Sequence, residues 1–100
     1  MTTYFAIQAL DKPGHTQLRA EVRPVHLDYL KSHLPRLQAV GPLLDDEGTN
    51  AIGSLLVIEA ENRAEAEGFA ANDPYAKAGL FQSVTVTRWR KVFFDGKALL

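Results

Sequence analysis

A chain of 100 residues with a formal charge of −1 can bury one hydrophobic core, and its acids and bases are interspersed along its length. It has no cysteine, which excludes disulfides, thiolate catalysis and cysteine-ligated zinc or iron–sulfur centres. The opening MTTYFAIQALDKP lacks the basic n-region and apolar run of a signal peptide or membrane span, so no membrane partner is expected and a cytoplasmic location is.

TYFAIQAL (3–10) mixes β-branched, aromatic and small apolar residues and predicts a strand, ended by the turn-like DKPG. Leu18, Val22, His26, Leu30 and Leu34 then recur at helical spacing, with Thr16 as the expected N-cap. Pro24 interrupts that run. The pattern fits a helix that begins near Pro24, or a short helix kinked into a longer one, and Pro35 ends it. A start near Pro24 puts His26 in the first turn, where the positive helix end disfavours an imidazolium.

LQAVGPLL (37–44) reads as a strand whose Gly41-Pro42 confines it to a sheet edge or a bulge. DDEGTNAIG is turn-rich, and the strongly apolar GSLLVIEA (53–60) completes a hairpin with a long tip. Asn62 and Glu65 form a capping-box pattern before the helix RAEAEGFAAN. NDPYAKAG is expected to be a turn, and FQSVTVTRWRKVFF alternates as one long strand. The order β-α-β-β-α-β predicts an α+β, ferredoxin-like domain: a four-stranded antiparallel sheet with both helices on one face. The other face is too apolar for water alone, which predicts a homodimer packed sheet to sheet.

Only RWRK (88–91) approaches a basic cluster, and its alternation around Trp89 fits a strand with one wet face, so no nucleic-acid partner is expected. His15, His26 and His33 lack the i, i+4 spacing of a helical zinc site, and the acidic tip lacks the ligand order of a calcium loop. No phosphate-cradling glycine loop is present, and neither a metal nor another cofactor is expected.

The chemistry-bearing candidate is His26. At about 100° per residue it points inward from an apolar stripe. Taken alone, that position suits a core histidine bonded to a carbonyl first, and a general acid/base second, because imidazole titrates near pH ~6.5. Asp73 can fall beside it, since the loop after the second helix can reach the inner face of the first. A carboxylate there would orient the ring and stabilise its charged form, although Asn-Asp-Pro is also an ordinary turn. Arg23, three residues from His26, can clamp an anionic oxygen bidentately or remain a solvated charge. Ser54 can offer its hydroxyl to a ligand at the strand entry, and Phe5, Tyr75 and Phe81 are candidates for the apolar wall of a pocket.

RPVHLDYL (23–30), GPL (41–43), GS (53–54), NDPYAKAGLF (72–81) and the terminal WRKVF together resemble the YciI-like (YCII-related) family of the dimeric α+β barrel group. The resemblance spans nearly the whole chain and implies a single domain over residues 1–100 that dimerises. It implies that His26 and Asp73 are the active-site pair, with Ser54 nearby. Relatives with assigned activities include a dehydrochlorinase acting on a chlorinated hydroxyquinol, and the wider group includes muconolactone isomerases and small monooxygenases.

Two functions follow. The first is a cofactor-independent lyase or isomerase acting on a small cyclic or aromatic acidic compound, with His26 moving a proton, Asp73 orienting it, and Arg23, Ser54 and Tyr75 holding the ligand. The second is a non-catalytic dimeric module that uses the same pocket to bind a metabolite or an assembly partner.

Overall fold

Strand β1 (Tyr4–Asp11) alternates buried Phe5, Ile7 and Ala9 with more exposed Tyr4, Ala6 and Gln8. This period of two puts one face of the strand in the core. The structure is a computed structural model and describes residues 2–100. β1 lies inside a sheet with β2 (Leu37–Leu44), β3 (Ala51–Glu59) and β4 (Phe81–Trp89), in the order β2-β3-β1-β4 with every pairing antiparallel. Helices α1 (Thr16–Lys31) and α2 (Arg63–Ala71) connect the strands. Leu30, Ala66, Phe69 and Ala70 from these helices pack on Phe5, Ile7, Leu56 and Ile58, which the register places on one face. Both helices therefore cover the same side of the sheet, and the fold is ferredoxin-like βαββαβ. Burying each large side chain of this core contributes about 1.5–3 kcal/mol.

Gly41-Pro42 sits in edge strand β2, where a missing backbone donor can face away from the ladder, and the pairing of β2 with β3 shifts register between Leu37 and Ala39 and between Leu43 and Leu44. Asn62 caps α2 by accepting the Glu65 N–H at 2.9 Å. At Gly53 a Cβ would stand 2.3 Å from the Ala9 carbonyl oxygen, so only glycine lets β3 approach β1 at the point where Ser54 follows. The β2–β3 tip is tied by the Asp45 carboxylate, which accepts the Thr49 N–H at 2.9 Å and the Asn50 N–H at 3.2 Å.

The structure departs from the sequence expectations in four places. α1 starts at Thr16 and runs unbroken through Pro24, so His26 lies deep in the helix and its terminal dipole argument lapses. The proline deletes one backbone hydrogen bond, but Arg19 on one side and His26 and Leu30 on the other are all buried and hold both halves in place. His15, not Thr16, occupies the cap position, without a side-chain cap bond. The turn after α2 contains a short helix, α3 (Pro74–Lys77). Finally, β4 ends at Trp89, and a hairpin of β5 (Phe93–Phe94) and β6 (Lys97–Ala98) follows. Among the described residues no helix is long and apolar enough to cross a membrane.

Candidate active site

α1 turns Arg19, His26 and Leu30 inward. Arg19 and His26 are seven residues apart, two helical turns and about 10 Å by rise, so they share a face. The His26 ring is nearly buried, and its Nδ1 lies 2.9 Å from the Oδ1 of Asp73.

Asp73 reaches this position through local backbone chemistry. Proline at 74 favours an extended preceding residue, and Asp73 adopts φ −60° and ψ 130°. Its side chain then caps α3, with Oδ1 accepting the Tyr75 N–H at 2.9 Å. The cap carboxylate is thus also the histidine's partner. An ionised carboxylate only accepts, so Nδ1–H donates to it and the lone pair of the neutral ring resides on Nε2. Nε2 has no protein hydrogen bond, yet no buried side-chain polar atom among the described residues is sealed without a partner. Nε2 is therefore open to the cleft that His26 lines.

The Tyr75 ring stacks on His26, with centroids 3.9 Å apart and planes inclined by 21°. The Arg19 guanidinium lies 4.5 Å from the same ring's centroid, so Tyr75 links the two α1 side chains. Arg19 donates from Nε to Asp11 Oδ2 at 2.6 Å, and from Nη2 to Asp11 Oδ1 at 3.1 Å and Ser54 Oγ at 2.8 Å. Burial lowers the guanidinium's proton affinity, but the hydrogen bond and charge of Asp11, then Tyr75, outweigh it and raise its pKa. The Tyr75 hydroxyl is also raised above its ordinary pKa, first by burial and then by the Asp73 and Asp11 charges, against the opposing pull of Arg19 and Arg23.

These groups surround a cleft of about 310 Å³, at the small end of the range of small-molecule sites. One wall is polar, with Arg19, Arg23, His26 and Ser54; the other is apolar, with Leu27, Leu30, Val40 and Pro42. Arg23 is exposed at this cleft and takes part in no ion pair among the described residues. The arrangement combines a base with an open lone pair, a carboxylate behind it, and cationic donors beside an apolar surface.

Of the residues singled out from the sequence, His26, Arg23, Ser54 and Tyr75 line the cleft, and Asp73 stands behind His26. Phe5 and Phe81 do not form its wall. Phe5 belongs to the core, and Phe81 packs edge-on against Tyr75 at 6.0 Å. Arg19 and Asp11 were not anticipated. The available signal was the seven-residue spacing of Arg19 from His26, which was obscured by the neighbouring Leu18 in the apolar stripe.

Residues 3–90 match the YCII-related domain. An uncharacterized protein of Haemophilus influenzae is 37% identical over 97 residues, covering 90% of this chain and 99% of its own. Protein YciI of Escherichia coli is 34% identical over 96 residues, covering 89% and 98%. Among solved structures, the 5-chloro-2-hydroxyhydroquinone dehydrochlorinase TftG of Burkholderia phenoliruptrix, in complex with 2,5-dihydroxybenzoquinone, is 37% identical. It superposes with a TM-score of 0.81, covering 87% of this chain and 93% of that one. An antibiotic biosynthesis monooxygenase, 16% identical with a TM-score of 0.54 and covering 90% and 98%, shares the fold alone.

Proposed function

The chain belongs to the YCII-related domain family, and from that membership and the geometry of its cleft we propose that it is a cofactor-independent lyase or isomerase of a small cyclic or aromatic acidic compound. The observation that carries this reading is the His26 ring, tied at Nδ1 to Asp73 and open to the cleft at Nε2. Nε2 takes a proton from the bound ring, Asp73 stabilises the resulting imidazolium, and the same nitrogen returns the proton at a second atom. Arg23 and Ser54 face the oxygen on which negative charge grows, and Tyr75 holds the imidazole plane.

The similarity to TftG favours the lyase form of this chemistry. On a chlorinated ring diol, the shuttle carries a hydroxyl proton to the chlorine-bearing carbon. Loss of the second hydroxyl proton then expels chloride and leaves a quinone. The ring loses one proton and one chloride overall, and no electron enters or leaves the protein. The exposed sheet face supports the accompanying reading that two copies pair through it as a homodimer.

The test is turnover of chlorinated hydroxyquinols and of lactones by the wild type and by His26→Ala, with product followed by absorbance. Turnover that disappears in the variant, while its thermal midpoint and solution mass are unchanged, supports the assignment. Equal turnover in the two proteins removes His26 from the chemistry. Saturable binding by the wild type with no product replaces catalysis with a metabolite-binding or assembly role.

A further inference from the structure

We infer that the outer edge of β4 pairs with the same edge of a second copy of this chain, antiparallel about a two-fold axis at Thr85. The contact is separate from the cleft and from the open face of the sheet. It joins two sheets side by side into one.

β4 is the last strand in the sheet order and has β1 on one side only. One bond fixes which backbone groups face outward. Arg63 Nη1 donates to the Val86 carbonyl at 2.7 Å, so the Val86 backbone points away from β1. In an antiparallel ladder, residues two apart face the same way, so the N–H and C=O of Val84 also point outward. No other protein group meets these edge groups among the described residues. Edge strands are usually protected by charges, a proline or a covering element. The segment Ser83–Thr87, SVTVT, carries neither charge nor proline, and all of it except Val86 is exposed.

This segment is complementary to itself. Antiparallel pairing centred on Thr85 sets Val84 opposite Val86 and Ser83 opposite Thr87. The Val84–Val86 pairs are then the hydrogen-bonded ones, and their N–H and C=O groups already face outward. The side chains sort in the same way. Val84 and Val86 lie opposite Ala9 and Ile7 of β1, both buried, so they share the helix side of the sheet. Ser83, Thr85 and Thr87 lie opposite Leu10, Gln8 and Ala6 on the open side. Valine therefore meets valine and hydroxyl meets hydroxyl, both favourable cross-strand pairs. A register moved by one residue would set valine against threonine instead.

The helices add a match of charge. Glu59 and Trp89 both pair with Tyr4, so α2, which follows Glu59, starts at the Trp89 end of β4 and runs toward the Phe81 end. Arg63 stands level with Val86. Glu67, four residues on, shares its helix face about 6 Å further along, where it lines a groove of about 350 Å³ with Val84, Ala70 and Ala76. The two-fold sets Val86 of each copy opposite Val84 of the other, and so turns Arg63 of each toward Glu67 of the other. Neither side chain belongs to an ion pair among the described residues. The Val86 carbonyl has a second lone pair, so it can accept a strand bond while keeping Arg63.

Edge groups exchange bonds to water for bonds to each other, which gives a modest net gain, and association consumes part of it. Pairing at this edge therefore appears in concentrated protein and is absent from dilute protein.

The experiment uses the full chain carrying Leu10→Glu/Leu55→Glu, which removes pairing through the open face. Its mass is followed by light scattering from about 10 μM to about 1 mM, the span of weak affinities. The mass should rise from one chain toward two. Val84→Pro deletes an outward N–H and no bond to β1, so it should keep the mass at one chain with an unchanged circular dichroism spectrum. Arg63→Glu alone and Glu67→Arg alone should each weaken pairing about tenfold, and the two together should restore it. A mass that stays at one chain up to the highest concentration overturns the inference, as does a rise that survives Val84→Pro in a folded chain. A rise indifferent to both charge variants overturns the two-fold register. Should the Leu10→Glu/Leu55→Glu chain fail to fold, the same variants in the wild-type background carry the test, with the mass rising from its dilute value toward twice that value.

Discussion

The two faces of the sheet are made by the same strands and end differently. On the covered face, Phe5, Ile7, Leu56 and Ile58 meet the helices, and all are essentially sealed from solvent. On the opposite face the register aligns Ala6, Gln8 and Leu10 with Leu55, Val57, Thr85 and Thr87. There cover is confined to one end, where Trp89 packs on Tyr4 and Phe94, and Lys91 lies over Tyr4 and Phe94 and reaches Gln38 on β2. Leu10 remains 49% exposed. The covered face is completed within the chain, except where α1 gives way to β2. The polar cleft lies there, beside small residues such as Gly41 and Ala51 that leave room for a ligand. The proposed ligand site thus occupies the edge of the finished face, and assembly is expected on the unfinished one.

The largest effect should come from the carboxylate behind His26. Asp73→Asn keeps the size of the side chain and an acceptor for the Tyr75 N–H, but it removes the charge that stabilises the imidazolium. Turnover should fall about 10²- to 10⁴-fold with little change in substrate affinity. Steady-state kinetics measure this. A drop in affinity alone would mean that Asp73 shapes the cleft and does not assist the proton transfer.

Next comes the contrast between faces in stability. Ile58→Ala on the covered face should cost about 2–5 kcal/mol in urea unfolding, because the helices cannot close over the gap. Thr85→Ala on the opposite face should cost less, about 1 kcal/mol or below, because only a partner copy can cover it. Similar losses at both positions would show that the second face is also tightly covered in solution. A Leu10→Glu/Leu55→Glu variant sharpens this point. Light scattering should give twice the chain mass for the wild type and a single folded chain for the variant, whereas a wild type of single-chain mass would reject pairing through this face.

The sequence exposed the fold because its periodicities are strong: the alternation of Phe5, Ile7 and Ala9, and the capping pattern at Asn62, have local causes that a single chain displays. His26 and Asp73 were legible for a mixed reason. Helical spacing turned His26 inward, and Pro74 fixed the backbone of Asp73, but their 2.9 Å contact depends on how α3 docks against α1. The family resemblance supplied that pairing. Arg19 was hidden because an arginine in a helix is normally a surface charge, and its burial depends on Asp11 at the far end of β1 and Ser54 on β3. The start of α1 was misjudged because proline weakens a helix locally, whereas burial on both sides of Pro24 is a tertiary effect.

The smallest effect belongs to the β2–β3 tip, which lies outside both faces. The Asp45 carboxyl is held below its ordinary pKa by the Thr49 N–H, against weak desolvation, and by the backbone and side chain of Asn50. A carboxyl lowered in the folded state contributes stability above its unfolded pKa of about 3.9, and that contribution is lost as pH falls through the lowered folded value. The Thr49 and Asn50 amide shifts, followed by NMR, should therefore move together with a midpoint below the usual aspartate value, and Asp45→Ala should abolish that step. Because Asp45 is fully exposed, water screens the effect, and the variant should leave Tyr75 and Ile58 resonances unmoved. A midpoint at or above the ordinary value would mean that the carboxylate does not organise the tip, which would leave only the short backbone bonds from Asp45 N–H to Asn50 O and from Gly48 N–H to Asp45 O to close it.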